Sequence, residues 1–128
     1  MSERKILEKV SEALTILIEK NALKVKEKLN IGSFSFLLLL EGFKEALNIK
    51  TIIDKNRVFI SKDEGKTEEI NIYKIDKYSL VFIMKRKILE EWPNANVDVM
   101  DEIIKGNIRF IGNIALLMYL LDENNSVA

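Results

Sequence analysis

Five pairs of adjacent carboxylates are the residues of this sequence best suited by type to acid–base chemistry or metal binding. The pairs are Asp63 and Glu64, Glu68 and Glu69, Glu90 and Glu91, Asp101 and Glu102, and Asp122 and Glu123. Neighbouring side chains point in different directions on a helix or strand, so a pair of this kind does not converge on one reaction centre. Asp98 with Asp101 and Glu102 could approach a hard cation, but the spacing and glycine of a calcium loop are missing. We predict neither a catalytic pair nor a metal site.

The composition removes most other catalytic chemistry. The 128 residues include no Cys and no His, which excludes thiolate nucleophiles, disulfides and the commonest general base at neutral pH. Neither of the glycine-rich motifs that hold nucleotide phosphates occurs in the sequence. We therefore predict a protein that is not an enzyme and that needs no cofactor.

Charge and length indicate one globular domain, residues 1–128, without a nucleic-acid partner. Twenty basic and twenty acidic residues cancel, so the chain has no overall attraction to nucleic acid. The one short basic cluster, Lys85, Arg86 and Lys87, is more typical of a solvated strand end than of a phosphate site. Because the charged N-terminus does not resemble a signal peptide and the terminus at Ala128 is not a peroxisomal address, we expect a cytoplasmic protein with no transmembrane segment.

Residues 2–30 have the apolar spacing of a helix. Leu7, Val10, Leu14 and Leu17 recur three or four apart, and Ser2 can cap the first turn. We predict one long helix or two helices that break near Asn21, and a short coiled coil is the weaker alternative.

The middle of the chain predicts an antiparallel sheet. Residues 33–41 alternate at their start like a strand, although their four leucines also fit a helix, and residues 43–48 could form a short helix. Short strands are expected at 51–53, 57–60, 69–75 and 78–84, with turns at 54–56, 62–66 and 76–77. In the last strand Tyr78, Leu80, Phe82 and Met84 share one face. Because both faces of that strand are largely apolar, each needs cover, and one possibility is the N-terminal helix on one face and a C-terminal helix on the other.

The C-terminal part of the sequence predicts a helix, a strand, a turn and a second helix, in that order. Residues 97–105 have helical spacing with Asp98 as a cap and Gly106 as the terminator, and Ile108 and Phe110 follow as a strand. Asn113 can then cap a helix, 114–121, that is apolar on every side and too short to span a bilayer. This helix must be covered by the protein, by a partner chain or by an apolar ligand.

The pattern of residues 79–121 resembles the sterol carrier protein 2 (sterol-transfer) domain family. The resemblance lies in the strand around Phe82 and in Gly106, Ile108, Phe110, Gly112 and Asn113, followed by the apolar run to Leu121. It implies a glycine-bracketed strand that leads into a helix closing a hydrophobic tunnel for lipids. The resemblance also favours a strand at 33–41, directly after the N-terminal helix.

We therefore predict an α+β fold with an N-terminal helix, a mostly antiparallel sheet of about five strands and an apolar C-terminal helix packed on the sheet. The predicted function is non-catalytic binding, and transfer, of a lipid or other long apolar molecule between the sheet and that helix. The predicted ligand-binding residues are Leu80, Phe82, Met84, Ile108, Phe110, Ile114, Leu117, Met118 and Leu121. The alternatives are a buried helix that completes the core and a homodimeric interaction module without a cavity.

Overall fold

A computed structural model describes residues 2–70, 79–91 and 98–121. Their elements in chain order are α1 (Glu3–Leu29), β1 (Ser33–Leu40), β2 (Glu45–Asp54), β3 (Arg57–Lys66), a 3-10 turn (Thr67–Glu69), β4 (Leu80–Met84), α2 (Arg86–Glu91), α3 (Val99–Ile104), β5 (Ile108–Gly112) and α4 (Ile114–Leu120). The described strands form one sheet in the order β3-β2-β1-β4-β5. The predicted α+β fold with a mostly antiparallel sheet is confirmed.

The sheet is not the simple antiparallel meander that the sequence predicts. β1 pairs with β2 in antiparallel and with β4 in parallel orientation, and β4 pairs with β5 in antiparallel orientation. β1 is therefore an interior strand with a neighbour on both edges. A strand in this position packs side chains on both faces, which explains why its sequence reads as a continuous apolar run. The helical alternative for residues 33–41 is wrong.

The N-terminal helix is a single unbroken element. Ser2 caps it by accepting a hydrogen bond from the Lys5 amide at 3.3 Å, and Asn30 ends it in the left-handed conformation with φ of 54°. Asn21, where a break was an alternative, is buried inside the helix. Its side-chain nitrogen donates to the carbonyl of Leu17 at 3.1 Å, one turn earlier.

Strands β2 and β3 are longer than predicted. The predicted helix at 43–48 is wrong because Glu45 already pairs with Lys66 in the β2–β3 ladder. The predicted turn at 62–66 is also wrong, since these residues form the second half of β3. β3 is an edge strand, where charged side chains remain in water and need no apolar alternation. The turn at 54–56 is confirmed, with Lys55 at φ of 57°. The predicted strand 69–75 and the turn at 76–77 fall largely outside the described residues.

The side chains of α1 and of α4 lie on the same face of the sheet. Side chains of α1 and α4 share one core cluster with Phe34, Phe36 and Leu38 of β1 and with alternate residues of the neighbouring strands. The expectation that α1 and α4 cover opposite faces is therefore wrong. The other face carries a smaller cluster formed by Leu37, Ala46 and Val81. None of the helices in the described part is long and apolar enough to cross a membrane.

Candidate functional site

The strand residues predicted to bind a ligand lie together on the helix-facing side of the sheet. Phe82 of β4 pairs with Phe110 of β5, and Met84 pairs with Ile108. Leu80, Phe82, Met84 and Ile108 are buried, and Phe110 is half-buried at the margin of the same cluster. The alternation along β4 therefore predicted correctly which of its residues share a face. This face is the interior one, because side chains of α1 and α4 belong to the same core cluster.

Gly112 sets the position at which α4 begins. Its φ is 133°, and a Cβ atom at this position would collide with the carbonyl oxygen of Ser79, the residue just before β4. Only glycine fits such a close approach between two backbones. Asn113 then caps the helix by accepting a hydrogen bond from the Leu116 amide at 3.1 Å, as predicted. The turn and the cap set where α4 begins, and α4 then packs against α1.

α4 buries only one side within the chain. Leu116, Leu117 and Leu120 belong to the core cluster, and Leu121 packs against it. By contrast, Ile114 is 62% exposed and Met118 is 54% exposed. Residues four apart share one side of a helix, so these two predicted site residues face outward together. The described residues do not enclose α4 on all sides, because the helix lies on the surface of their core rather than within it.

The core cluster to which α4 contributes is apolar. The core cluster that contains Leu80, Phe82 and Leu117 consists of apolar side chains, among which the Phe36 and Phe82 rings meet edge to face at 6.0 Å. Such surroundings offer dispersion contacts and exclude water, and the buried Asn21 amide lies at their edge, beside the end of α4.

The acidic pairs whose side chains the structure describes do not assemble into a reactive centre. Asp101 and Glu102 both approach the Lys105 ammonium, at 2.9 Å and 3.8 Å. Asp63 and Glu64 lie in β3, and Asp122 and Glu123 are outside the described residues. No group of three acidic residues within the described ranges is placed to hold a metal ion. Of the basic cluster, Lys85, Arg86 and Lys87 are exposed, and the Arg86 guanidinium lies 5.8 Å from the centre of the Phe43 ring.

A groove that the sequence analysis did not anticipate lies between α1 and the β2–β3 hairpin. Its volume is about 460 Å³. α1 contributes four of its lining residues, which are Leu7, Glu8, Ser11 and Glu12. The hairpin contributes the others, which are Leu47, Lys62, Asp63 and Glu64. The only sequence signal for it was a serine on the apolar side of α1. The sequence did not predict that β3 lies beside this serine, so the groove could not be inferred.

Comparison with solved structures identifies the class of fold. SCP2L2 from Aedes aegypti, in its palmitated form, matches with a TM-score of 0.50 and 15% identity over 95% of this chain and 93% of that one. The sterol carrier protein domain 2 of Helicoverpa armigera matches with a TM-score of 0.49 and 14% identity over 94% and 90%. The chain has a fold like that of sterol carrier protein 2, from α1 to α4.

No family model matches the chain, and no curated protein matches it. Structures of the sec-alkylsulfatase Pisa1 from Pseudomonas sp. also match, at 14% identity and a TM-score of 0.48 in one case. The chain spans only 12% of the length of that enzyme.

Proposed function

We propose that this protein binds a lipid or another long apolar molecule, without catalysis, between the sheet and α4. The observation that carries the proposal is the buried apolar cluster that residues of the sheet and of α4 share. Leu80, Phe82 and Met84 from β4 and Leu117 from α4 belong to one buried apolar cluster. A hydrocarbon chain in this region would exchange water for apolar contacts.

Binding of this kind requires a change in the position of α4. In the described conformation the central side chains of the cluster are buried, and Leu117 is 1% exposed. α4 has only seven residues, so its displacement breaks few contacts compared with unfolding of the sheet. A ligand that stabilises the displaced position would shift the population toward it. Phe110 and Leu121 are half-buried at the margin of the cluster, where a hydrocarbon ligand could enter first.

The free energy available is sufficient for a carrier. Each methylene removed from water contributes about 0.8 kcal/mol, so a ten-carbon chain contributes about 8 kcal/mol before the costs of ordering. Such a value corresponds to roughly micromolar affinity. Met84 is flexible enough to adapt to ligands of different shape. An affinity in this range permits release as well as capture, as transfer requires.

Native mass spectrometry of the purified protein, followed by organic extraction, tests the proposal. We expect acyl or isoprenoid lipid at close to one molecule per chain, or uptake of added palmitate, a ligand chosen because SCP2L2 is known in a palmitated form. A bare chain that takes up neither palmitate nor a sterol would overturn the proposal.

Two matched phenylalanine substitutions test where the palmitate ligand binds. Phe110→Ala removes a ring at the margin of the α4 cluster, whereas Phe59→Ala removes an exposed ring on β3. We expect Phe110→Ala to weaken palmitate binding about tenfold or more, because the ligand would lose the apolar surface of the ring, and Phe59→Ala to leave it unchanged. Equal effects would place the ligand elsewhere.

A homodimer formed through α4 is the second candidate function. The outward side chains of Ile114 and Met118 favour it, because two exposed apolar residues on one side of a helix provide a contact surface. Sedimentation separates the two functions. A ligand-free dimer that Ile114→Lys dissociates, while Ile104→Lys on α3 does not, would support an interaction module. Ile104 is a suitable control because it is 80% exposed.

A further inference from the structure

The groove between α1 and the β2–β3 hairpin has the chemistry of a binding site of its own. Its volume, about 460 Å³, lies within the range of small-molecule sites. Leu7 and Leu47 form a buried apolar floor, and charged side chains stand around it. It shares no residue with the predicted site beneath α4, so its occupation does not depend on the proposed lipid binding.

A buried hydroxyl group in this groove lacks a hydrogen-bond partner. Ser11 lines the groove and is 5% exposed, and its Oγ atom has no partner among the described residues. Most buried polar atoms in proteins are paired, so an unpaired one calls for an explanation. A ligand that brings a hydrogen-bond donor to Ser11 would provide the missing partner.

Two more unpaired hydroxyl groups belong to the same interface. α1 runs alongside β2 in the same direction, since Arg4 lies 3.8 Å from Glu45 at the start of β2 and Lys26 donates to the Lys55 carbonyl beyond its end, at 3.1 Å. Thr15 follows Ser11 by one helical turn, and Thr51 shares the helix-facing side of β2 with Leu47. The hydroxyl oxygens of both threonines are buried without a partner. Unpaired acceptors thus continue from the groove into the α1–β2 interface.

The charges around the groove favour a cation. Four of its lining residues are acidic and one, Lys62, is basic. Arg4 pairs with Glu64 at 3.0 Å and with Glu8 at 3.9 Å. Glu12 and Asp63 form no ion pair with another of the described residues. A carboxylate or phosphate would meet net repulsion here, whereas an ammonium group would be attracted.

From these observations the geometry points to a second binding site, in which the groove holds a primary alkylamine. The ammonium group donates to the Ser11 hydroxyl and is paired with the Glu12 carboxylate. The alkyl chain lies over Leu7 and Leu47. An ammonium nitrogen has three donors and no acceptor, so it suits a site whose unpaired groups are oxygens.

Titration of the intact protein with three ligands of equal chain length tests the site, with backbone amide chemical shifts as the readout. We expect octylamine at pH 7 to shift residues 7–12 and 62–64 saturably, and octanoate and octanol to leave them largely unchanged. The site is refuted if octylamine does not bind, if octanoate binds the groove equally well, or if the octylamine shifts are confined to α4.

Charge-matched variants identify the residue that holds the ammonium group. Glu12→Gln should weaken octylamine binding about tenfold, because it removes a charge-assisted hydrogen bond. Glu27→Gln removes the same charge from an exposed position near the other end of α1 and should have no effect. If the two variants bind octylamine alike, Glu12 does not form the site.

Ser11→Ala separates binding from folding. Alanine favours a helix and removes a hydroxyl that has no partner, so we expect the melting temperature to stay the same or rise while octylamine binding weakens several-fold. Unchanged octylamine binding in this variant would show that the hydroxyl is not part of a site.

Discussion

The side-chain nitrogen of Asn21 in α1 donates a hydrogen bond of 2.8 Å to the carbonyl oxygen of Leu120 in α4. The two residues are 99 positions apart in the chain, and both are buried. The last carbonyl groups of a helix have no partner within it. Asn21 therefore supplies a partner at the end of α4 and joins the first helix to the last.

Asn21→Ala should lower the free energy of unfolding by about 1–3 kcal/mol, because the buried Leu120 carbonyl would lose its partner. Urea unfolding measures the change, and hydrogen exchange at residues 116–121 should accelerate more than exchange in β1. Asn56→Ala is the control, since Asn56 is exposed in the β2–β3 turn. If both variants unfold alike, the Asn21 hydrogen bond does not stabilise α4.

Gly112→Ala should be strongly destabilising, by about 2 kcal/mol or more, since the position combines an unfavourable backbone conformation with a collision at the Ser79 carbonyl. Gly65→Ala is the matched control. It lies in an exposed part of β3, has no positive φ, and a Cβ there would meet nothing within 4 Å. Thermal unfolding should show a large loss for Gly112→Ala and little change for Gly65→Ala. A small loss at Gly112 would contradict the close approach of β4 and β5.

Local signals in the sequence predicted much of this fold correctly. Ser2, Asp98 and Asn113 each cap the helix that was expected to follow them. Such caps depend on contacts within three or four residues, so the sequence contains the whole signal. The strand at β1 was also correct, with support from the family resemblance.

Non-local pairing explains what the sequence could not predict. The parallel pairing of β1 with β4 joins segments more than 40 residues apart, and no local pattern specifies it. The polar second half of β3 was wrongly predicted as a turn. This edge strand is held in the sheet by its backbone pairing with β2, so its side chains do not alternate between apolar and polar.

The candidate site shows the same limit. The alternation of residues along β4 predicted that Leu80, Phe82 and Met84 share one face. In the structure this face is buried in the core. α4 gave no such information. A helix that is apolar all round has no polar side to mark its solvent surface, so Ile114 and Met118 could not be distinguished from Leu117 before α1 was placed beside them.

Leu117→Ala and Met118→Ala measure the difference between the two sides of α4. Leu117 is buried in the core cluster, so its truncation should cost about 2–5 kcal/mol. Met118 is 54% exposed, and its truncation should change stability by no more than about 0.5 kcal/mol. Urea unfolding of both variants at equal protein concentration provides the test. A large loss for Met118→Ala would mean that another chain covers the outward side of α4 in solution.

Arg4→Ala links the surface charges to the groove. The guanidinium approaches three carboxylates, those of Glu8, Glu45 and Glu64. All of these side chains are substantially exposed, so the substitution should cost no more than about 1 kcal/mol of stability, and less in high salt. The groove should nevertheless bind octylamine more tightly, because Glu8 and Glu64 lose their cationic partner and the repulsion of an incoming ammonium group falls. Lys28→Ala, which removes an exposed positive charge at the far end of α1, is the control for overall charge. Equal octylamine affinity in the two variants would show that the charges lining the groove do not act on the ligand.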